Sequence, residues 1–256
     1  MTVEAGRPEI SVYWVPGCSS CLKLKEFVEE RGLVFESLNL LEREDAVQEL
    51  EVAGFRGAAI LRKGDAFVRG QNLDEVAALL GVDRHHRRLA NSVLVERWEE
   101  MLACARAVIA WFPEDVLDRR AVLVRDRPIR DLCTHVFQVP DTFLRRVEGS
   151  LAADGERAAL GAPVDHVETK DELLAFVDAI LARFRSWRVE GGEAELPERM
   201  LTYYGEQPIG QVLERGTWHT AQHARQLDTI AAGLGAEFQI PLSLYEGLPM
   251  PGRLWA

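Results

Sequence analysis

The chain has 256 residues, 47% of them hydrophobic and 28% charged, with a formal net charge of -11. That length supports two modest hydrophobic cores, and the negative charge, with no basic, aromatic-interleaved strip to counter it, argues against nucleic acid as a partner. No run approaches the roughly 18 apolar residues of a spanning helix, and the acidic, proline-containing start MTVEAGRPEI lacks the basic and apolar regions of a signal peptide, so no membrane partner and a cytoplasmic location are expected.

Residues 9–15, EISVYWV, alternate and are rich in β-branched and aromatic side chains, which predicts a strand; PGCSSC then turns the chain into a helix over about 19–31, ending near Gly32. LVFESLNL predicts a second strand and residues 42–52 a second helix. AAILRKGDAFVRG reads as a hairpin turning at Lys63, Gly64 and Asp65, and Asn72 with Glu75 forms a capping signature for a third helix through Leu80. The predicted order is β-α-β-α-β-β-α, an α/β unit with a mixed sheet over residues 1–82.

Beyond Gly81 no strand is predicted. Four amphipathic segments follow, at about 84–111, 129–148, 170–189 and 209–234, with a capping box at Thr169 and Glu172 and a stop at Gly235. Such lengths suit an all-α four-helix bundle over residues 83–256. Its long connections at 149–168 and 191–206 suggest a crossing at one end, and the proline- and glycine-rich tail is expected to pack on the bundle.

Cys18 and Cys21 are the first chemical signal. Four cysteines are too few for a disulfide framework in a chain this long, and a CxxC in a reducing compartment points to redox chemistry or metal binding. Cys18 falls where strand becomes helix, so the free amides of the first turn favour its thiolate. Cys21, one turn on, is placed to attack a mixed disulfide formed at Cys18. A half zinc knuckle lacks a second CxxC, and a degraded docking module is the remaining alternative. The stretch VYWVPGCSSCLKLKEFVEERGLVFESLNL resembles the start of glutaredoxins, which implies a thioredoxin fold with Cys18 as attacking and Cys21 as resolving thiol. Where that family carries a cis proline, this chain has Ala58 and Ala59, and the family's later Gly-Gly is reduced to Gly70 followed by Gln71. Both departures argue against ordinary glutathione-disulfide turnover.

The second signal is TWHTAQHARQL, where His219 and His223 stand four positions apart on one helix face. The row Val212, Gly216, His219, His223 and Ile230, with Leu227 beside it, points both imidazoles inward. His135, between Leu132 and Val139 on the core face of another segment, points inward too. Three histidines from two facing helices can coordinate one divalent ion and leave open positions, or can be hydrogen-bonded core residues. Neutral imidazole suits zinc, nickel, copper or iron.

RPIRDLCTHVF followed by IGQVLERGTWHTAQHARQLDTIAAGLG resembles the DinB-like metalloprotein superfamily, four-helix bundles that bind a divalent metal through a histidine of the second helix and an HxxxH pair of the fourth. The resemblance covers about residues 84–245 and implies His135, His219 and His223 as metal ligands, with zinc or nickel foremost. Characterised members of that superfamily include transferases and isomerases that use mycothiol or bacillithiol, and dimers are common among them. His85 and His86, at the expected helix start, and His166, in a loop, read as solvated; Cys133, two positions from His135, leaves its helix in another direction, and Cys104, Trp98, Trp111, Trp187 and Trp218 read as packing. Arg225 and Gln226 stand either near a substrate carboxylate or behind the ligands.

The expected protein is thus a thioredoxin-fold, glutaredoxin-like domain followed by a DinB-like bundle: a metal-dependent thiol S-transferase or related enzyme with an attached dithiol redox domain. Its expected partners are a low-molecular-weight thiol such as mycothiol, bacillithiol or glutathione, an electrophile or disulfide substrate, and a second copy in a homodimer. The alternatives are a non-catalytic redox- or metal-responsive docking or sensing protein, and a hydrolase using metal-bound water.

Overall fold

The computed structural model describes residues 8–122, 125–152, 155, 164, 167–237 and 239–255. The chain divides into two compact units, Met1–His86 with Pro251–Ala256, and Arg87–Met250.

In the first unit the elements run β1 (Ile10–Trp14), α1 (Ser19–Glu29), β2 (Glu36–Asn39), α2 (Glu44–Val52), β3 (Ile60–Lys63), β4 (Ala66–Arg69) and α3 (Leu73–Leu80). They build a four-stranded sheet of order β2-β1-β3-β4, with β1 parallel to β2 and antiparallel to β3. This is the thioredoxin-like arrangement of a mixed sheet with helices. Successive side chains of a strand point to opposite faces, and both faces of this sheet are covered. Val12 and Leu61 pack with Leu24, Phe27 and Val76 from α1 and α3. Tyr13 and Ile60 pack with Leu38 and with Ala46 and Leu50 of α2. The local signals are met: Asn72 accepts from the amides of Asp74 and Glu75, and Gly81 caps α3 with φ 72.

The end of the chain departs from its expected place. Residues Pro251–Ala256 belong to the first unit. Glu26 of α1, only 6% exposed, accepts from the backbone amides of Gly252 at 2.7 Å and Arg253 at 2.8 Å. A buried carboxylate requires such donors, and the glycine and its neighbour supply them from the backbone, which no hydrophobic pattern reveals.

The second unit holds the helices α4 (Asn91–Trp111), α5 (Ile129–Val147), α6 (Lys170–Val189) and α7 (Ile209–Gly233), which form the helical bundle. The capping box at Thr169 and Glu172 is present. Two expectations fail here. The first helix begins at Asn91 rather than near residue 84, and His85, with φ 55, lies exposed in the irregular segment before it. Strands are also present, as the antiparallel hairpins β5 (Arg120–Val122) with β6 (Arg125–Pro128), and β7 (Arg199–Thr202) with β8 (Gly205–Pro208). RDRP and GEQP carry no apolar alternation, so backbone pairing alone defines them. Each hairpin ends on a proline that is the N-cap residue of the next helix, Pro128 for α5 and Pro208 for α7. The proline ring fixes φ near the value that leads into a helix. Both hairpins therefore set the entry of a histidine-bearing helix. Among the described residues, no helix is long and apolar enough to cross a membrane.

Gly216 of α7 lets α4 approach: a Cβ there would lie 2.3 Å from Cη2 of Trp98. Trp98 is 1% exposed, and its indole donates to Thr220 Oγ1 at 2.9 Å, so the ring is held and cannot swing away. Alanine gains about 1 kcal/mol over glycine inside a helix, whereas overpacking costs about 1–3 kcal/mol. Gly216→Ala is therefore expected to lower stability by up to about 2 kcal/mol in urea unfolding, and a raised midpoint would contradict this packing.

Candidate functional site

Three imidazoles converge in the bundle. His135 comes from α5, and His219 and His223 stand one turn apart on α7. The ring centroids lie 5.4 Å apart for His135 and His219, 5.0 Å for His135 and His223, and 4.6 Å for His219 and His223. One ring nitrogen from each falls within 4.8 Å of the others. His219 and His223 are buried at 6% and 2% exposure, while His135 is half-buried and forms the accessible side of the cluster.

Both alternatives for these histidines can now be tested against their partners. A satisfied core histidine has both ring nitrogens engaged, but Nδ1 of His219 is buried without a hydrogen-bond partner among the described residues. Burial holds the imidazoles of His135 and His219 well below the ordinary histidine range, and the neighbouring guanidiniums of Arg127 and Arg215 push in the same direction. His135 and His219 are thus held toward the neutral form, the one that binds a metal. A converging, all-imidazole donor set with an unsatisfied buried nitrogen fits a divalent cation.

Outer partners orient the rings. Nδ1 of His223 lies 2.7 Å from Oε1 of Gln226, an oxygen that only accepts, so Nδ1 is the donor in that bond. Gln138 makes a side-chain hydrogen bond to His135. Gln226 and Gln138 are 2% and 8% exposed. Each follows its histidine by three positions, and so does Gln222 after His219. The pattern H-x-x-Q thus occurs at HVFQ, HTAQ and HARQ, a signal visible in the sequence but missed at Gln138 and Gln222. Gln222, fully buried, accepts from Nη2 of Arg225 at 2.7 Å, and Gln226 bonds His223, which places Arg225 and Gln226 behind the histidines. Gln226→Leu keeps the bulk but removes the acceptor, and is expected to weaken metal binding by about 10–100-fold in competition with a chromophoric chelator. An unchanged affinity would remove Gln226 from the site.

Residues 93–227, which include all three histidines, match the family model described as the DinB superfamily. The chain belongs to the DinB superfamily. Its first unit is similar to the glutaredoxin-like protein NrdH of Lactococcus lactis subsp. lactis strain IL1403 and to that of subsp. cremoris strain MG1363. Each is 29% identical over 70 residues, which are 27% of this chain and 97% of the relative. No solved structure matches the chain. The DinB domain thus carries the histidine cluster and the glutaredoxin-like region carries Cys18 and Cys21.

In the glutaredoxin-like region Cys18 is the N-cap residue of α1, and its sulfur accepts from the amide of Cys21 at 3.2 Å. The two cysteines are joined as a disulfide, with Cα atoms 5.2 Å apart. Cys18 is half-buried and Cys21 fully buried, so an incoming molecule reaches Cys18. Trp14, Cys18 and Ala58 pack on the same core, and the ammonium of Lys25 sits 3.1 Å from the centre of the Trp14 ring. Burial first, and Arg253 second, lower the Lys25 pKa to about 8. The Ala58–Ala59 peptide bond is cis, where glutaredoxins carry their proline.

Other candidate residues fall outside both sites. Cys133 is fully buried, and its thiol pKa is pushed far up by that burial; Cys104 is half-buried and raised for the same reason. Trp218 is buried, while Trp111 and Trp187 are half-buried in aromatic contacts. His85 lies 3.3 Å from Asp83 at the surface. His166 lies outside the described residues.

Proposed function

We propose that the chain is a cytoplasmic metal-dependent enzyme of low-molecular-weight-thiol metabolism, a thiol S-transferase or a close relative of one. In this reading the Cys18–Cys21 dithiol reduces mixed disulfides of the same thiol. The observation that carries it is the convergence of the His135, His219 and His223 imidazoles in a chain that also holds the Cys18–Cys21 pair. His135, His219 and His223 would hold the ion, zinc or nickel. A divalent cation there keeps a bound thiol deprotonated at neutral pH.

The protein's own residues supply the rest. Gln226 and Gln138 fix two of the rings, so that no reorganisation is needed when ligands bind. Arg127 and Arg215 add positive charge beside the histidines, which favours an anionic sulfur over a neutral one. In the transfer, the sulfur forms a bond to the electrophilic carbon, the leaving group departs with its electron pair, and the thiol proton passes to solvent. A second reading, a redox- or metal-responsive docking protein, is supported by Ala58 and Ala59 in place of the glutaredoxin proline.

Monobromobimane consumption with mycothiol, bacillithiol or glutathione, measured on zinc- or nickel-loaded and chelator-treated protein, separates the two. Thiol- and metal-dependent turnover is expected. Metal loading without turnover for any of the three thiols would favour the sensing reading.

A further inference from the structure

The three imidazoles are not held alike. His135 bonds Gln138, and His223 bonds Gln226 at 2.7 Å, each through the glutamine three positions further on. His219 has a glutamine at the same spacing, Gln222, yet Nδ1 of His219 is buried without a hydrogen-bond partner among the described residues. Oε1 of Gln222 instead accepts from Nη2 of Arg225 at 2.7 Å. Gln222 is fully buried and Arg225 is half-buried.

Helix geometry offers Gln222 both neighbours. Residues three apart on a helix have Cβ atoms about 5–6 Å apart, and helical side chains lean back over the preceding turn. Gln222 thus stands between His219, one turn before it, and Arg225, one turn after it. The lean that brings Gln226 onto His223 is the one that would carry Gln222 to His219. The imidazole proton decides between the two. A neutral ring has one N–H and one bare nitrogen, and a bare Nδ1 offers nothing to a carbonyl oxygen. A ring that gives Nε2 to a cation carries its proton on Nδ1, and a buried N–H without an acceptor is costly. A cation at Nε2 of His219 therefore calls for an acceptor at Nδ1, and Gln222 stands at the spacing that supplies one twice elsewhere in this cluster.

We propose that Gln222 is the positioning residue of His219: in the metal-free protein Arg225 holds it, and on metal binding it accepts from Nδ1–H of His219, so that each of the three rings is then braced by its own glutamine. The ring stays neutral throughout, with its proton on Nδ1 rather than Nε2. This assignment rests on the metal-binding reading of the cluster and not on thiol transfer.

The test follows the imidazole Nδ1–H resonances of isotope-labelled full-length protein, assigned through their ring carbons, with zinc affinity measured by chelator competition on the same preparations. Zinc-loaded wild type is expected to show a slowly exchanging Nδ1–H for His219 that the metal-free protein lacks. Gln222→Leu is expected to lose that signal and to bind zinc about 10–100-fold more weakly. Gln222→Glu keeps an acceptor, should retain the signal, and covers the case in which the leucine variant does not fold. Arg225→Leu should tighten zinc binding about tenfold where Gln222 is present and clearly less in Gln222→Leu, because a guanidinium acting only by its charge would give the same gain in both. A His219 N–H that survives in Gln222→Leu at unchanged affinity would overturn the assignment, as would equal gains from Arg225→Leu in both backgrounds. Wild type that takes up neither zinc nor nickel would dismiss the metal reading and this inference together, whereas uptake that is indifferent to Gln222 dismisses the inference alone.

Discussion

His219→Ala is expected to strip the protein of its divalent ion, from about one per chain to near none, by mass spectrometric metal analysis after gel filtration. Four-ligand zinc sites in peptides bind with about 10–16 kcal/mol, which apportions to roughly 3–4 kcal/mol per ligand. Loss of one imidazole from a three-histidine set should thus weaken binding roughly a hundredfold or more, enough for the ion to wash off. The fold should survive, because the substitution removes an unsatisfied buried nitrogen along with the ring. The cavity left behind still costs stability. A variant that keeps its ion, or a wild type that takes up neither zinc nor nickel, would make the three histidines packing residues. The leading reading of the bundle would then be withdrawn.

How much of this was legible in the sequence depends on whether the information is periodic. Val12 and Tyr13, Leu24 and Phe27, and the Asn72 cap announce their elements through alternation, helical spacing and a short-range hydrogen bond, and the first unit follows the expected order. The two hairpins are invisible to the same logic, since RDRP and GEQP show no apolar alternation and join their hairpins through backbone pairing. The clasp of Glu26 on Gly252 and Arg253 joins residues more than two hundred positions apart, and no local pattern encodes it. The segment before Asn91 is equally instructive. Its charged residues have adequate helix propensity, but His85 takes a positive φ and no apolar stripe draws the segment onto a core.

At the histidine cluster the inward direction of His219 and His223 was legible from i, i+4 spacing, and that of His135 from its place between Leu132 and Val139. Their mutual distance was not, because it depends on how α5 and α7 pack. The arginines divide in the same way. Arg215 looks like an ordinary helix-surface residue in the sequence, and only the fold buries it against Tyr203 and Tyr204. The glutamines were legible in principle, as the repeated H-x-x-Q spacing, yet a glutamine on a helix is too common to stand out until its histidine has been located.

The glutaredoxin-like region makes a prediction that separates its two cysteines. Cys18 is the accessible sulfur and stands at the N-cap of α1, where the amide of Cys21 already donates to it. Hydrogen bonds of this kind and the helix N-terminus stabilise negative charge on sulfur, so Cys18 is the expected nucleophile. Cys21 is fully buried and reaches an outside molecule only through Cys18. Cys18→Ser is therefore expected to abolish reduction of a small disulfide such as hydroxyethyl disulfide, whereas Cys21→Ser should still attack once and then stop as a stable mixed disulfide, visible as an added half-disulfide in the intact mass. Atoms balance in that step: the Cys18 thiolate bonds one sulfur of the substrate, the substrate S–S bond breaks, and the other half leaves as a thiolate. In the wild type Cys21 then displaces the bound half and closes the disulfide seen here. Metal content should be unchanged in both variants, since neither sulfur belongs to the histidine cluster. Residual turnover in Cys18→Ser, or an inert Cys21→Ser that captures nothing, would reverse or remove the assigned roles and leave the first unit as a docking module.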